Sequence, residues 1–206
     1  MPAQIPVDTI ISKILDGIVQ AQKDYVEWSG DWLWNAPEYM LNIYIAQKIV
    51  KIDGAKYLTL ENSAKSAMDD AGAVGKGKLH SNIRANGRFD ALLWWGGYKP
   101  RAVIEVKNQI RNVNNIKDDL LRISKVLQRK SEDSSFQFGV VAYYTSCRDN
   151  KKFTAKELLE KRIDNIFIDA VDLLKDECEV IPYSKSIRVE DDSAWIAAAL
   201  LVKIVQ

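Results

Sequence analysis

The sequence predicts an α/β fold with a mixed central sheet flanked by helices and a strand-rich C-terminal elaboration. Three observations carry this. Two segments of helical periodicity fall within the first 50 residues, a hairpin of two apolar strands occupies the middle, and a helix and a buried strand follow it. One domain over residues 1–206 is expected.

Each element follows from local pattern. "VDTIISKILDGIVQAQKDYVEW" sets Ile10, Ile11, Ile14, Leu15, Ile18 and Val19 at helical spacing, with Asp8 as the expected N-cap. "APEYMLNIYIAQKIVKI" predicts a second helix. Pro37 suits its first turn, and Met40, Leu41, Tyr44, Ile45 and Ile49 form its apolar face. "KYLTLE" is a short strand, and "NSAKSAMDDAG" reads equally as helix or irregular loop. "VGKGKLHSNIRANG" is an exposed basic loop. "IKDDLLRISKVLQRK" is an amphipathic helix with Ile116, Leu120, Ile123 and Leu127 on one side, and "FQFGVVAYYT" is a buried strand. "TAKELLEKRIDNIFIDAVDLLKD" is mostly helix. "CEVIPYS", "IRVE" and "SAWIAAALLVKIVQ" read as strands, the last also as a helix.

Composition narrows the function. A net charge of +1 gives no global field toward nucleic acid or membrane, so polyanion binding needs a local patch. Cys147 and Cys178 show no CxxC spacing, which excludes a disulfide framework and a cysteine zinc site and suggests reduced thiols. A single histidine, His80, excludes histidine-based triads and His-rich metal sites. No apolar run reaches a membrane span, and the N-terminal residues lack the layout of a signal peptide, so a cytoplasmic protein is expected.

The hairpin "FDALLWWGGYKPRAVIEVKNQI" holds the informative conflict. Its strands put Phe89, Ala91, Leu93 and Trp95 on one face with Ala102, Ile104 and Val106. Asp90, Leu92, Trp94, Val103, Glu105 and Lys107 take the other. A turn centred between Gly97 and Tyr98 sets Leu92 opposite Val103 and Asp90 opposite Glu105. Directly opposed side chains have Cβ atoms about 5 Å apart, so two carboxylates there repel unless a cation intervenes. Lys107 is one candidate, and a divalent metal held by the carboxylates is another. The competing reading is a half-exposed hairpin whose charges face solvent, with Glu105 paired to Lys107 or Arg88.

Asp90, a hairpin, then Glu105-Val106-Lys107 resembles the PD-(D/E)xK nuclease superfamily, with its restriction-endonuclease-like fold. The resemblance covers about residues 35–145. It implies a core of helix, three strands of mixed pairing, helix and strand, with the C-terminal third as elaboration. It implies a Mg²⁺-dependent nuclease acting on nucleic acid, most naturally DNA, with Mn²⁺ able to substitute. Asp90 and Glu105, with the carbonyl of Val106, would hold the metal. Lys107 would steady the attacking water or the phosphate charge. Glu38, opening the second helix, would add a supporting carboxylate, with Glu27 in reserve. No proline precedes Asp90, and no downstream glutamine–tyrosine pair marks a narrower group. The resemblance is compatible with a homodimer and involves no membrane. Its alternative is an inactive or regulatory protein that binds nucleic acid or protein on a nuclease-like scaffold. A third reading is an interaction module whose charges neutralise one another.

Weaker signals complete the reading. "GAVGKGK" fits the spacing of a phosphate-binding loop, but Leu79 stands where a serine or threonine is needed and no apolar strand precedes it. Lys76, Lys78, Arg84 and Arg88, in the loop before Asp90, are candidate phosphate-backbone contacts. Trp28, Trp32 and Trp34 are expected to pack in the core or between helices. Asp118, Asp119, Arg122 and Lys125 are expected on a solvated helix face; the alternative is that Arg122 or Lys125 contributes to the site, since the corresponding helix of the resembled fold follows the ExK strand.

Overall fold

The computed structural model describes residues 5–54 and 56–205. The readings of the extreme N-terminus (residues 1–4) and of Gln206 lie outside these residues. Helix α1 spans Val7–Ser29 and α2 spans Glu38–Val50. Strand β1 (Lys56–Ser63), helix α3 (Ala64–Asp70), β2 (Arg88–Trp95) and β3 (Pro100–Lys107) follow. Then come α4 (Lys117–Gln128), β4 (Phe138–Arg148), α5 (Ala155–Leu174), β5 (Cys178–Ser184), β6 (Arg188–Glu190) and β7 (Ser193–Ile204).

The seven strands form one mixed sheet in the order β1-β2-β3-β4-β7-β5, with β6 also on β7. Only β3 and β4 pair in parallel among the described residues. α1 and α2 cover one face, packing Ile14, Ile18, Leu41 and Ile45 on Ala91, Leu93, Ala102, Ile104 and Val106. α3, α4 and α5 cover the other, where Leu120, Ile123 and Ile166 meet Leu92, Val103, Val141 and Leu200. With both faces covered, β4 and β7 read as unbroken apolar runs rather than alternating ones. That removes the period by which the last segment could be told from a helix.

Two glycines mark close approaches. A Cβ on Gly17 would stand 2.7 Å from the Cα of Ile45, so α1 and α2 cross backbone to backbone. A Cβ on Gly139 would stand 2.2 Å from Ile123 Cγ2, so α4 lies directly on β4. α1 ends at Gly30, whose left-handed φ of 71° lets its N–H bond Val26 O at 2.8 Å. Its N-cap is Pro6, which has no side-chain oxygen to accept a bond, and Asp8 lies inside the first turn instead. Asp8 accepts the Tyr183 hydroxyl at 2.6 Å, which ties α1 to β5. Pro37 is likewise the N-cap of α2, one position ahead of the expected first turn.

The hairpin register is the one read from the sequence: Ala91 faces Ile104, Leu92 faces Val103 and Leu93 faces Ala102. A shift between Leu93 and Trp94 then pairs Trp94 with Pro100. Phe89 departs from expectation, because it packs in the α4 layer with Leu92 and Val103 rather than with Ala91. The Arg122 guanidinium lies 4.2 Å from its ring centre, and this cation–π contact draws the ring to that side. Among the described residues, no helix is long and apolar enough to cross a membrane.

Candidate active site

The hairpin charges do not face solvent. Glu105 is 2% exposed, and its Oε1 accepts a 2.8 Å bond from Arg122 Nη1 on α4. Its partner is therefore neither Lys107 nor Arg88. The expected solvated face of α4 is corrected too. Arg122 is 3% and Asp119 6% exposed, while Asp118 is exposed and Lys125 pairs with Glu177 away from the site. A long planar guanidinium reaches into the sheet and spreads its three bonds over a rigid fork, which a compact ammonium does not offer. Arg122 also donates from Nε to Ile83 O at 3.0 Å and from Nη1 to Arg88 O at 2.7 Å, fastening the loop before β2.

Lys107, at the carboxyl end of β3, collects carboxylates from three elements. Its Nζ is 3.2 Å from Glu38 Oε1, 3.5 Å from Asp119 Oδ2 and 3.8 Å from Asp90 Oδ2. It also donates to Val106 O at 3.1 Å. Asp90 Oδ2 accepts the Val106 N–H at 2.8 Å. Asn108 holds Glu38 in place. Its N–H bonds Glu38 Oε2 at 3.1 Å, and its side-chain amide donates to Leu33 O at 2.8 Å and Ala36 O at 3.0 Å, pinning the segment that leads into α2. Glu27 is exposed on the last turn of α1.

The electrostatics are crowded. Glu38, Asp90, Glu105 and Asp119 face Lys107, Arg122 and Arg84, the last bonded to Asp119 Oδ1 at 2.7 Å. Burial, reinforced by Asp90, pushes the Glu105 carboxyl up to about 8 against the pull of Arg122. Burial works against the Lys107 ammonium, but Asp119, Asp90 and Glu38 outweigh it and hold its pKa above the ordinary lysine value. Burial lowers the Arg122 pKa, with Glu105 opposing.

The donors suit a divalent cation in kind, since two carboxylates and a carbonyl are the hard oxygens Mg²⁺ takes. Asp90 Oδ1 carries no protein hydrogen bond among the described residues, and the local excess of carboxylate is what a cation would relieve. Against this, Arg122 engages Glu105 and Lys107 engages Val106 O. Among the described residues, no three carboxylate, cysteine or histidine side chains converge as a metal-holding group.

Other expectations fall apart spatially. Arg84 is committed to Asp119, Arg88 is exposed, and Lys76 and Lys78 lie on the exposed loop between α3 and β2. That loop is entered from α3 rather than from a strand, and a single 3-10 turn at Ser81–Ile83 follows it, which is not a phosphate-binding loop. His80 is exposed and caps that turn by accepting the Asn82 N–H at 3.2 Å. Trp28 and Trp34 are 67% and 46% exposed, yet Trp28 packs on the Tyr44 ring of α2 with centres 6.3 Å apart and Trp32 packs partly buried on the same core; α1 stops at Gly30, so Trp28 and Trp32 share no helix face. The sequence reading missed Asp119 and Asn108. The spacing of Asp119 and Arg122, one helical turn apart, was the available signal for the first; Asn108, directly after the ExK strand, carried none.

Compared with known proteins, the chain matches no family model, no curated protein and no solved structure.

Proposed function

We propose that this protein is a metal-dependent phosphodiesterase of the PD-(D/E)xK type, acting on nucleic acid and most naturally a DNA nuclease. One observation carries the reading: Glu38, Asp90 and Lys107 come from three separate elements and meet within 4 Å contacts at the end of β3. Nothing in the packing of an α/β core calls for such a meeting. The element order α2, β1, β2, β3, α4, β4, with β3 and β4 parallel, supports the same reading, with α3 as an insertion after β1.

Asp90 and Glu105 with Val106 O would hold Mg²⁺ or Mn²⁺. When bound, such an ion supplies a hydroxide nucleophile and neutralises phosphate charge. The chain's own residues do the rest. Lys107 presents a fixed cation where the phosphate gains negative charge, and Glu38 and Asp119 keep it protonated and aimed. Glu38, the more open of the two, can also accept a proton from water at the site. Arg122 holds Glu105 in one rotamer.

Arg122 also favours a second reading. A Glu105 locked in a buried ion pair suits a regulatory nucleic-acid-binding protein on the same scaffold. Cleavage of labelled single-stranded and duplex substrates with Mg²⁺ or Mn²⁺ decides between them. The wild type should cleave, and Asp90→Ala should abolish cleavage while its melting temperature holds. Calorimetric metal binding should vanish in Asp90→Ala and Glu105→Ala. No cleavage, and no metal uptake even with a non-cleavable oligonucleotide present, would leave the regulatory reading.

A further inference from the structure

Beyond the carboxyl ends of the parallel β3–β4 pair lies a groove of about 650 Å³ that the site chemistry does not use. Arg111 enters it from the segment after β3, Arg148 from the end of β4, and Lys161 and Arg162 from α5. These four cations face one carboxylate, Asp169. None of the four forms an ion pair among the described residues.

The unpaired charge is held at a cost. Arg162 is partly buried, and its Nη1 donates only to neutral oxygens, Thr145 Oγ1 at 2.7 Å and Ser146 O at 2.8 Å. Burial and the neighbouring Arg111 charge both lower its pKa. On a chain of net charge +1, such a concentration is a local feature. It lies outside the carboxyl ends of β3 and β4, beyond Lys107 and at Arg148.

We propose that this groove carries the phosphate backbone of a nucleic-acid strand whose scissile phosphate sits at Lys107. The proposal rests on the phosphodiesterase reading for its direction. Arg111 follows Lys107 by four residues, so the two lie within about 14 Å along the chain and one strand can span both. The other cavity flanking Arg111 and Arg148, of about 390 Å³, carries Asp31, Glu190, Asp191 and Asp192. Those carboxylates repel a backbone, so the strand runs along the α5 side. This surface differs from the Lys76–Arg88 loop that the sequence suggested.

Fluorescence anisotropy of labelled single-stranded and duplex oligonucleotides, on the full chain in EDTA, tests this without cleavage. Arg148→Glu with Lys161→Glu alters two exposed side chains. The charge-matched control is Lys51→Glu with Lys175→Glu, at the far ends of α2 and α5, about 20 Å along the helix from Glu38 and from Arg162 respectively. The groove pair should weaken binding at least about tenfold and flatten the log–log salt slope by about 1.4–1.8. The control should change affinity less than about twofold. Equal losses in both pairs, or a wild type that binds neither oligonucleotide at low salt, would overturn the groove. Groove binding that persists while Asp90→Ala cleaves like wild type would overturn the cleavage mechanism alone. Lost cleavage in Asp90→Ala with an indifferent groove would overturn only this inference.

Discussion

Arg101 and Lys107 stand six positions apart on β3, and both are cations drawn in from solvent, yet their surroundings are opposite in kind. Arg101 is 2% exposed and, among the described residues, meets no acid. Its guanidinium lies 4.3 Å from the Trp95 ring centre and 5.5 Å from that of Phe138, and it donates to Ile5 O at 2.8 Å and Gln137 Oε1 at 3.2 Å. Lys107 meets three carboxylates within 3.8 Å, and the next acid along its strand, Glu105, is pushed up to about 8. Neutral donors, acceptors and ring faces are sufficient to bury a structural cation. Carboxylates crowded until one resists ionisation are a burden that packing alone does not need. The contrast marks the Lys107 end as the one that the proposed chemistry would use.

The largest effect should come from separating Arg122 from Glu105. Arg122→Met leaves a buried carboxylate beside Asp90 without its counter-charge, and should cost about 3–5 kcal/mol in denaturant unfolding. The loss should depend on pH in a defined sense. The folded pKa of Glu105 lies above its unfolded value, so the proton it retains stabilises the folded chain. That contribution is complete below the ordinary value of 4.5 and is lost as pH climbs through about 8. Removing Arg122 raises the folded value further, so the deficit should hold level from about pH 5 to about pH 8 and grow from there toward about pH 9. Glu105→Gln should flatten the profile in either background. A deficit equal at both ends of that range would mean that Arg122 acts only through Ile83 O and Arg88 O.

A smaller effect, on activity, is expected from Asp119→Asn. Asp119 touches Lys107 at 3.5 Å and Arg84 at 2.7 Å, so it orients the lysine without being one of the expected metal-holding groups. Supporting residues of this kind typically cost about 10–100-fold when removed. The loss should fall on kcat, with calorimetric metal affinity and oligonucleotide binding retained. An unchanged kcat would reduce Asp119 to a tether for the loop that carries Arg84.

Much of this arrangement was legible because it is local or periodic. The register from Ala91–Ile104 to Leu93–Ala102 follows from strand alternation and the turn position alone, and Asp90 and Glu105 stand one position beyond it. Glu38 was reachable from its place at the start of α2, beside Pro37. Arg122 was reachable only as an alternative, from its helix following the ExK strand, because the helical period that predicts Ile116, Leu120 and Ile123 as buried gives no sign of a buried arginine beside them. Only tertiary contact with Glu105 and the Phe89 ring turns that residue inward, and it takes Phe89 with it. The helix face expected to be shared by Trp28 and Trp32 failed for the opposite reason: a four-residue spacing is a good prior for one face, but the left-handed turn at Gly30 ends the helix between them. The cationic groove was illegible, since Arg111, Arg148, Lys161 and Arg162 gather from three segments that only the β3–β4 parallel pairing and α5 bring together.

The mildest change tests the quiet end of β3. Arg101→Met keeps an apolar stem between Trp95 and Phe138 but gives up the bonds to Ile5 O and Gln137 Oε1. Because burial already lowers the Arg101 pKa, part of that loss is offset by no longer desolvating a charge. A net cost of about 1–2 kcal/mol is expected. It should be the same at about pH 5 and about pH 9, because a guanidinium stays protonated across that range and no carboxylate bonds to it. Cleavage should match wild type, since Arg101 lies about 20 Å along the strand from Lys107. A pH-dependent loss, or one that carried activity with it, would join the two ends of β3 into a single charge network and end the distinction between them.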